Sequence, residues 1–449
     1  MPDMFTPPPT RPLTLAQTLL YSCASIGLNL MSVTVSTWLL YFWAPPPGSG
    51  RTQYLSVTLV GVLLTLGRVW DAIIDPVIGY WSDVTQNRWG RRRPFLLFAT
   101  PVAALALVLV WTPPAQGSGL LNAVYFLGVT ILFYTGLSLV GIPYDSSLAE
   151  MGDTATERLR LSMWKNILGV AGVLAGALVV GPLFAAVGPP TMGLVVGLMG
   201  LGTVWLTLLA FRERGIPEAQ PLPIGESLRL TFRNQPFLIL FASALLIYTA
   251  YAMLLADLPY FVTLVVGRGE QEVSLFQGVV VLLMVLSAPL WNRLARSFPC
   301  RYLLVAAMLG LAGTSALTFG VGLVPGVPLF AQALLTLALL GPFLGGYFVL
   351  VYAMMGSVVD YDAMLTGARR EAIYYGAFSL AVGLGPSLAA LVLPFIFERY
   401  GYTAVQPLGV RVVFLVTAFL ALLGVFAFQG YQLGDTPAQT RQNLGMKDD

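Results

Sequence analysis

The run Gly67-Arg68-Val69-Trp70-Asp71-Ala72-Ile73-Ile74-Asp75-Pro76 places an arginine and two aspartates inside an otherwise apolar stretch. Asp71 and Asp75 are four residues apart, so on a helix they share one face. A carboxylate in hydrocarbon is costly, which makes a pair of them there a candidate for function. Two chemistries suit the spacing. Like charges this close disfavour double ionisation, so the pair can take up and release a proton. Alternatively, the carboxylate oxygens can ligate a cation such as sodium. A structural reading competes with both: one carboxylate pairs with Arg68 or Lys165 and fixes helix packing.

Other polar residues in apolar blocks extend the set. Tyr21, Trp164, Tyr347, Tyr352, Tyr374 and Tyr375 could present aromatic faces and hydrogen-bonding groups to a solute, or they could anchor the chain at membrane interfaces. Asp257 in Leu254-Leu255-Ala256-Asp257-Leu258-Pro259-Tyr260 either faces a cavity or lies at an outer interface. Asp145 either joins the acid pair or is a solvated charge at a helix end.

The elements that must position these residues are membrane spans. The 449 residues are 57% hydrophobic and 10% charged, with a mean hydropathy of +0.78, whereas soluble domains carry about 25% charged residues. Apolar blocks lie near 15–43, 55–80, 94–112, 120–149, 160–187 and 190–211, then near 236–266, 273–292, 302–323, 329–358, 372–397 and 409–430. Most reach the roughly 20 residues a hydrocarbon core requires. The N-terminus lacks the basic start and short apolar core of a cleaved signal, so the first block is expected to be retained. Pro76, Pro143 and Pro386 are expected to bend their helices. Gly345-Gly346 and Gly376 are expected to allow close helix packing.

Several classes of function are disfavoured. A net charge of +3 argues against nucleic-acid binding. Cys23 and Cys300 cannot form a disulfide framework or a metal cluster. With no histidine, the commonest general base and transition-metal ligand is missing, and the chain is not expected to be an enzyme or to carry a cofactor.

Basic residues are distributed unevenly between the two ends of the spans. Arg88, Arg91, Arg92, Arg93, Arg158, Arg160, Arg212, Arg214, Arg229, Arg233, Arg293, Arg296, Arg301, Arg369 and Arg370 fall at or near even-to-odd connections, with Arg11, Arg441 and Lys447 in the terminal segments of that side. The opposite side keeps Arg51, Arg268, Arg399 and Arg411. The positive-inside rule then puts both termini in the cytoplasm of a plasma-membrane protein. The halves echo each other, with Tyr144-Asp145, Glu150 and Glu157-Arg158 after block four and Tyr361-Asp362 and Arg369-Arg370-Glu371 after block ten. The expected architecture is an all-α major facilitator fold of twelve transmembrane helices in two pseudo-symmetric six-helix bundles, 1–211 and 236–430, joined by a cytoplasmic linker 212–235 and followed by a tail 431–449.

Arg68 to Gly79, followed by Ser82-Asp83 and Arg88-Trp89-Gly90-Arg91-Arg92-Arg93-Pro94, resembles the glycoside–pentoside–hexuronide:cation symporters, whose best-known members are the melibiose carriers and whose relatives include animal lysolipid carriers. The likeness continues through Ile142-Pro143-Tyr144, Glu157-Arg158 and Asp360-Tyr361. It implies that Asp71 and Asp75 are the cation-site carboxylates, for a proton or a sodium ion. It places Lys165 in the substrate and charge network, and Asn29 where the melibiose carriers have a sugar-binding aspartate. Asp83 with Arg91, Arg92 and Arg93 resembles the superfamily's cytoplasmic latch, besides serving as a positive-inside anchor; Arg68, Asp145, Arg158 and Asp360 complete the expected charge network. The resemblance also implies a monomer.

Departures from the pattern bear on the ion. Gly141 stands where the melibiose carriers have a third aspartate, Gly383 where they have a lysine, and Ile74 where they have a neutral asparagine ligand. An acid and a base are lost together, and few neutral oxygens surround the remaining pair, which favours a proton over sodium. The expected activity is cation-coupled symport of a sugar or glycoside by alternating access. A lysolipid or other amphipathic solute is the second reading, and a non-transporting membrane sensor is the reading from another class. Membrane lipids and a small-molecule substrate are the expected partners.

Overall fold

The computed structural model describes residues 13–85, 87–152, 154–211, 231–366, 371–435 and 439–441. Most of the expected linker and tail, and Arg11, Arg369, Arg370 and Lys447, lie outside these residues. The first span is made of α1 (Leu15–Ser22) and α2 (Ala24–Trp43), which abut at Cys23. The rest of the first half is α3 (Val57–Val84), α4 (Arg93–Leu109), α5 (Leu120–Met151), α6 (Ala155–Val187) and α7 (Pro189–Leu208). The second half is α8 (Gln235–Tyr260), which runs into a π-turn Phe261–Val265, then α9 (Glu270–Leu294), α10 (Cys300–Phe319), α11 (Leu329–Thr366), α12 (Glu371–Tyr400) and α13 (Leu408–Phe428).

Among the described residues, eleven helical spans are long and apolar enough to cross a membrane. The twelfth, α4, has 17 residues and at 1.5 Å per residue covers about 25 Å; it packs along α5 and α7 within the first bundle. The chain is therefore an all-α, multi-pass membrane protein.

Helix starts follow local capping chemistry. Thr14 and Gln17 form a capping box before α1. Ser56, Thr154 and Asn234 accept hydrogen bonds from the first turns of α3, α6 and α8. Pro76, Pro143 and Pro386 all lie inside helices.

The two halves repeat one packing pattern. In the first, α2 packs on α6 and α7, α4 on α5 and α7, and α3 on α5; in the second, α8 packs on α12 and α13, α10 on α11 and α13, and α9 on α11. Each contact in one half thus has a counterpart in the other, the signature of two pseudo-symmetric bundles. The halves meet along α2 with α8, α3 with α12, and α6 with α9. Their polar contacts cluster at the end away from the Arg91–Arg93 cluster. There Arg51 pairs with Glu270, Tyr41 Oη donates to Glu270 at 3.1 Å, Tyr260 Oη donates to the Ala44 carbonyl at 2.7 Å and Gln277 donates to Thr37 Oγ1 at 2.9 Å. Gly61 lets α3 approach α12 closely: a Cβ there would lie 2.4 Å from the Ala390 carbonyl oxygen. At the arginine-bearing end α5 and α11, which carry the matching Tyr144-Asp145 and Tyr361-Asp362, share no extended contact among the described residues.

Candidate functional site

Between the halves lies a cavity of 420 Å³, within the range of small-molecule sites. Asn29, Ser32 and Ser36 of α2 and Arg68 of α3 supply polar groups from one half, while Tyr248 and Tyr251 of α8 face them from the other. Most of the remaining wall is apolar, including Leu64, Leu255 and Leu393. Arg68 is the charged side chain in the wall among the described residues. Its guanidinium carbon sits 4.2 Å from the centroid of the Tyr134 ring, a cation–π contact that fixes it beside the cavity.

Arg68, Asp71 and Asp75 lie at i, i+3 and i+7, along one face of α3. That face meets α5, which runs parallel to it: Arg68 lies against Tyr134, Asp71 accepts a 2.8 Å hydrogen bond from Ser138 Oγ, and Gly79 comes near Ile142. Both aspartates are half-buried. Asp75 Oδ1 is buried with no hydrogen-bond partner. One oxygen satisfied by a hydroxyl and another left open make an acceptor site for a proton or a small cation, one to two turns from the Arg68 wall. Around this site Gly141 leaves open space: a Cβ there would meet nothing within 4 Å, and the same holds for Gly383 in the cavity wall.

Of the residues expected around a substrate, Asn29 lines the cavity, with its amide donating to the Ser25 carbonyl at 2.8 Å. The others lie elsewhere. Tyr21 is fully buried and bonds to the Tyr144 carbonyl and Ser147 hydroxyl inside its own half. Tyr374 is fully buried and accepts from Asn234 at 2.9 Å. Tyr347 is likewise buried, against Ser243. Trp164 and Tyr375 are half-buried outside the cavity wall. Lys165 pairs with Asp145 at 2.6 Å and sits over the Tyr144 ring, so its carboxylate partner is Asp145 rather than either α3 aspartate. Tyr352 is 45% exposed and reaches Tyr248.

At the arginine-bearing end, Arg92 bridges Asp83 and Glu150, both at 2.8 Å, and Arg91 also pairs with Glu150. Arg158 donates to the Gly152 carbonyl and Arg93 to the Leu208 carbonyl. These partners all belong to the first half. Asp360 is half-buried near the matching end of α11. Glu150, nearly fully buried, is the hub of this network; its sequence signal was only its place after Tyr144-Asp145. Ser138, Tyr134, Tyr248, Tyr251 and the Arg51–Glu270 pair were not identified from sequence. Ser138 carried a usable signal, being one turn before Gly141, where the melibiose carriers place an acid.

The model of the family described as MFS/sugar transport protein matches residues 20–435. The chain is 27% identical over 420 residues to the glucuronide carrier protein homolog of Escherichia coli (strain K12), covering 90% of this chain and 88% of that one. It is 23% identical to the sodium-dependent lysophosphatidylcholine symporter 1 of Xenopus tropicalis, over 83% and 80% of the two chains. Among solved structures it superposes on the nucleoside transporter NupG with a TM-score of 0.68 at 15% identity, covering 93% of this chain and 99% of that one, a likeness of fold.

Proposed function

The chain belongs to the MFS/sugar transport family and is a secondary transporter of the symporter type, and on that premise we propose that it couples a cation, a proton in preference to sodium, to the movement of a sugar or glycoside. The observation that carries this reading is the placement of Asp71 and Asp75 on the α3 face that begins with Arg68 in the cavity wall. A cation bound at the pair changes the charge beside Arg68, and so changes how strongly the wall attracts a polar solute. Ion and solute then stabilise each other's binding, which is the thermodynamic content of symport.

Under the positive-inside rule, the Arg91–Arg93 end is cytoplasmic, both termini lie in the cytoplasm and the membrane is the plasma membrane. The described state is then closed on the outside by the Arg51–Glu270, Tyr260–Ala44 and Gln277–Thr37 contacts. Transport alternates this state with one in which those contacts part. Residues 1–211 and 236–430 act as the two rocking bodies. Asn29, Ser32 and Tyr248 are the groups suited to hydroxyl recognition.

Purified protein in liposomes tests the proposal. Accumulation of a labelled sugar or glycoside should follow an imposed pH gradient and be lost when Asp71 and Asp75 are both changed to Asn. Accumulation driven by sodium alone would reverse the choice of ion. The second reading, an amphipathic lipid-like solute, is favoured by the apolar wall of Leu64, Leu255 and Leu393. Stabilisation by lysolipids but by no sugar or glycoside would select it.

A further inference from the structure

Asp257 is wholly buried, and neither of its carboxylate oxygens has a hydrogen-bond partner. It lies on α8 directly after Leu255 and Ala256, which line the cavity, and three residues before Tyr260, which bonds across the closed seam to Ala44. It therefore sits in the thin layer between the cavity and the closed end of the molecule.

The Phe261 ring meets the Phe414 ring at 4.9 Å, and Ile247 lies near Gly424, so α8 and α13 run antiparallel. Asp257, one turn before Phe261, then stands at the level of Thr417, one turn after Phe414. The Thr417 hydroxyl is also fully buried without a partner. Pro259 has no N–H to give the Leu255 carbonyl, the acceptor it would otherwise serve in the helix. Unsatisfied oxygens from two helices thus lie at one level.

The titratable and charged groups on the packed elements offer no counter-charge. Tyr260 is on the same helix, and Tyr41 and Glu270 lie across the seam, where Glu270 is engaged by Arg51. Tyr402 stacks near Phe397 of α12. Arg411 of α13 directs its guanidinium to the Phe319 and Val321 carbonyls. An ionised carboxylate sealed here would bear the full cost of an unpaired buried charge, whereas a carboxylic acid would not.

We propose that Asp257 is a proton-binding site of the second half, loaded when the seam to the outside is open and sealed with its proton when the seam closes. This gives the carrier a second protonatable carboxyl, on the body opposite Asp71 and Asp75. Its role in coupling rests on the symport reading above; the proton site itself does not.

Infrared spectroscopy of the purified protein in liposomes, with aspartate isotopically labelled at its side-chain carbon, tests the site. Wild type minus Asp257→Asn should show one protonated-carboxyl band. The band should persist in wild type as the pH is raised, and should be lost at alkaline pH when Arg51→Gln with Glu270→Gln loosens the seam. Asp257→Asn and Asp257→Leu should melt at or above the wild-type temperature, since a neutral, unpartnered group is being replaced. A missing band, a band that titrates identically with the seam intact and loosened, or a clear fall in melting temperature for both variants would overturn the proposal. If the band behaves as expected but no gradient drives uptake of any sugar or glycoside, the proton site stands and the symport reading falls.

Discussion

Ser138 Oγ on α5 donates a 2.8 Å hydrogen bond to Asp71 on α3, while one turn further along α3 the Oδ1 of Asp75 has no partner. Two carboxylates at the same i, i+4 spacing are therefore unequal. Asp71 is bonded to Ser138, and Asp75 keeps one buried oxygen without a partner. Asp75→Asn is expected to abolish accumulation against a gradient. Ser138→Ala should leave accumulation possible but weaken ion dependence roughly tenfold or more, because a hydrogen bond to a charged group contributes about 1.5–3 kcal/mol when intact. Steady-state uptake in proteoliposomes across a series of imposed gradients separates the two. Equal losses in Asp75→Asn and Ser138→Ala would show that the inequality has no functional weight.

Arg68 gives a prediction about the solute. It is the charged group in the cavity wall among the described residues, and it is stacked on Tyr134. If it hydrogen-bonds the substrate, Arg68→Ala should weaken binding roughly tenfold or more, as loss of a charge-assisted bond worth about 1.5–3 kcal/mol requires. Arg68→Lys keeps the charge but loses the planar stack and fork, and should recover only part of it. Ligand-induced shifts in melting temperature, measured across a panel of sugars, glycosides and lysolipids, provide the readout. Unchanged shifts in Arg68→Ala would place the residue outside the binding site.

The outer seam should behave as a balance that mutations tip. Arg51 and Glu270 are partly solvated, so their pair is worth no more than about 1 kcal/mol, or roughly a fivefold change in the ratio of closed to open states. Glu270→Gln should therefore shift the carrier modestly toward the outward-open form. Gly61→Val should shift it much further, because even a Cβ at this position collides with the Ala390 backbone. A cysteine placed at Ser36 in the cavity wall, after Cys23 and Cys300 have been replaced, reports the change through its rate of reaction with an impermeant thiol reagent added outside. Faster labelling in Gly61→Val than in Glu270→Gln, and in Glu270→Gln than in the parent, is the expected order.

Much of this was legible in the sequence because membranes impose a harsh sorting rule. Apolar block length read out the spans, and the cost of burying acids singled out Asp71 and Asp75 before any helix was placed. The rule is silent about which way a residue faces. Tyr21 and Tyr374 are the right type for a sugar site, yet each packs inside its own half, whereas Tyr248 and Tyr251 reach the cavity. Only the rotation of each helix against its neighbours decides that. Arg51 and Glu270 are separated by 219 residues and meet only because the two bundles close. Nothing in either residue's local sequence announces the other. Lys165 was expected near the substrate, yet it pairs with Asp145, since an ion pair between α5 and α6 depends on their register.

Gly141 turns the question of ion choice into an experiment. It lies on α5 one turn beyond Ser138, the donor to Asp71, and a Cβ there meets nothing within 4 Å. An aspartate should therefore fit without displacing a neighbour, and Gly141→Asp should fold, with a gain from removing a helical glycine offset by the cost of a further half-buried acid. The present pair offers few oxygens, whereas a metal cation needs several. Adding a third carboxylate should favour sodium over a proton. Wild-type protein is accordingly expected to show no shift in melting temperature when sodium replaces a large organic cation at constant ionic strength. Gly141→Asp should gain such a shift, and Gly141→Asn a smaller one. A sodium-dependent shift already present in the wild type, and unaltered by Gly141→Asp, would mean that Asp71, Asp75 and Ser138 suffice for sodium and that the glycine has no part in selecting the ion.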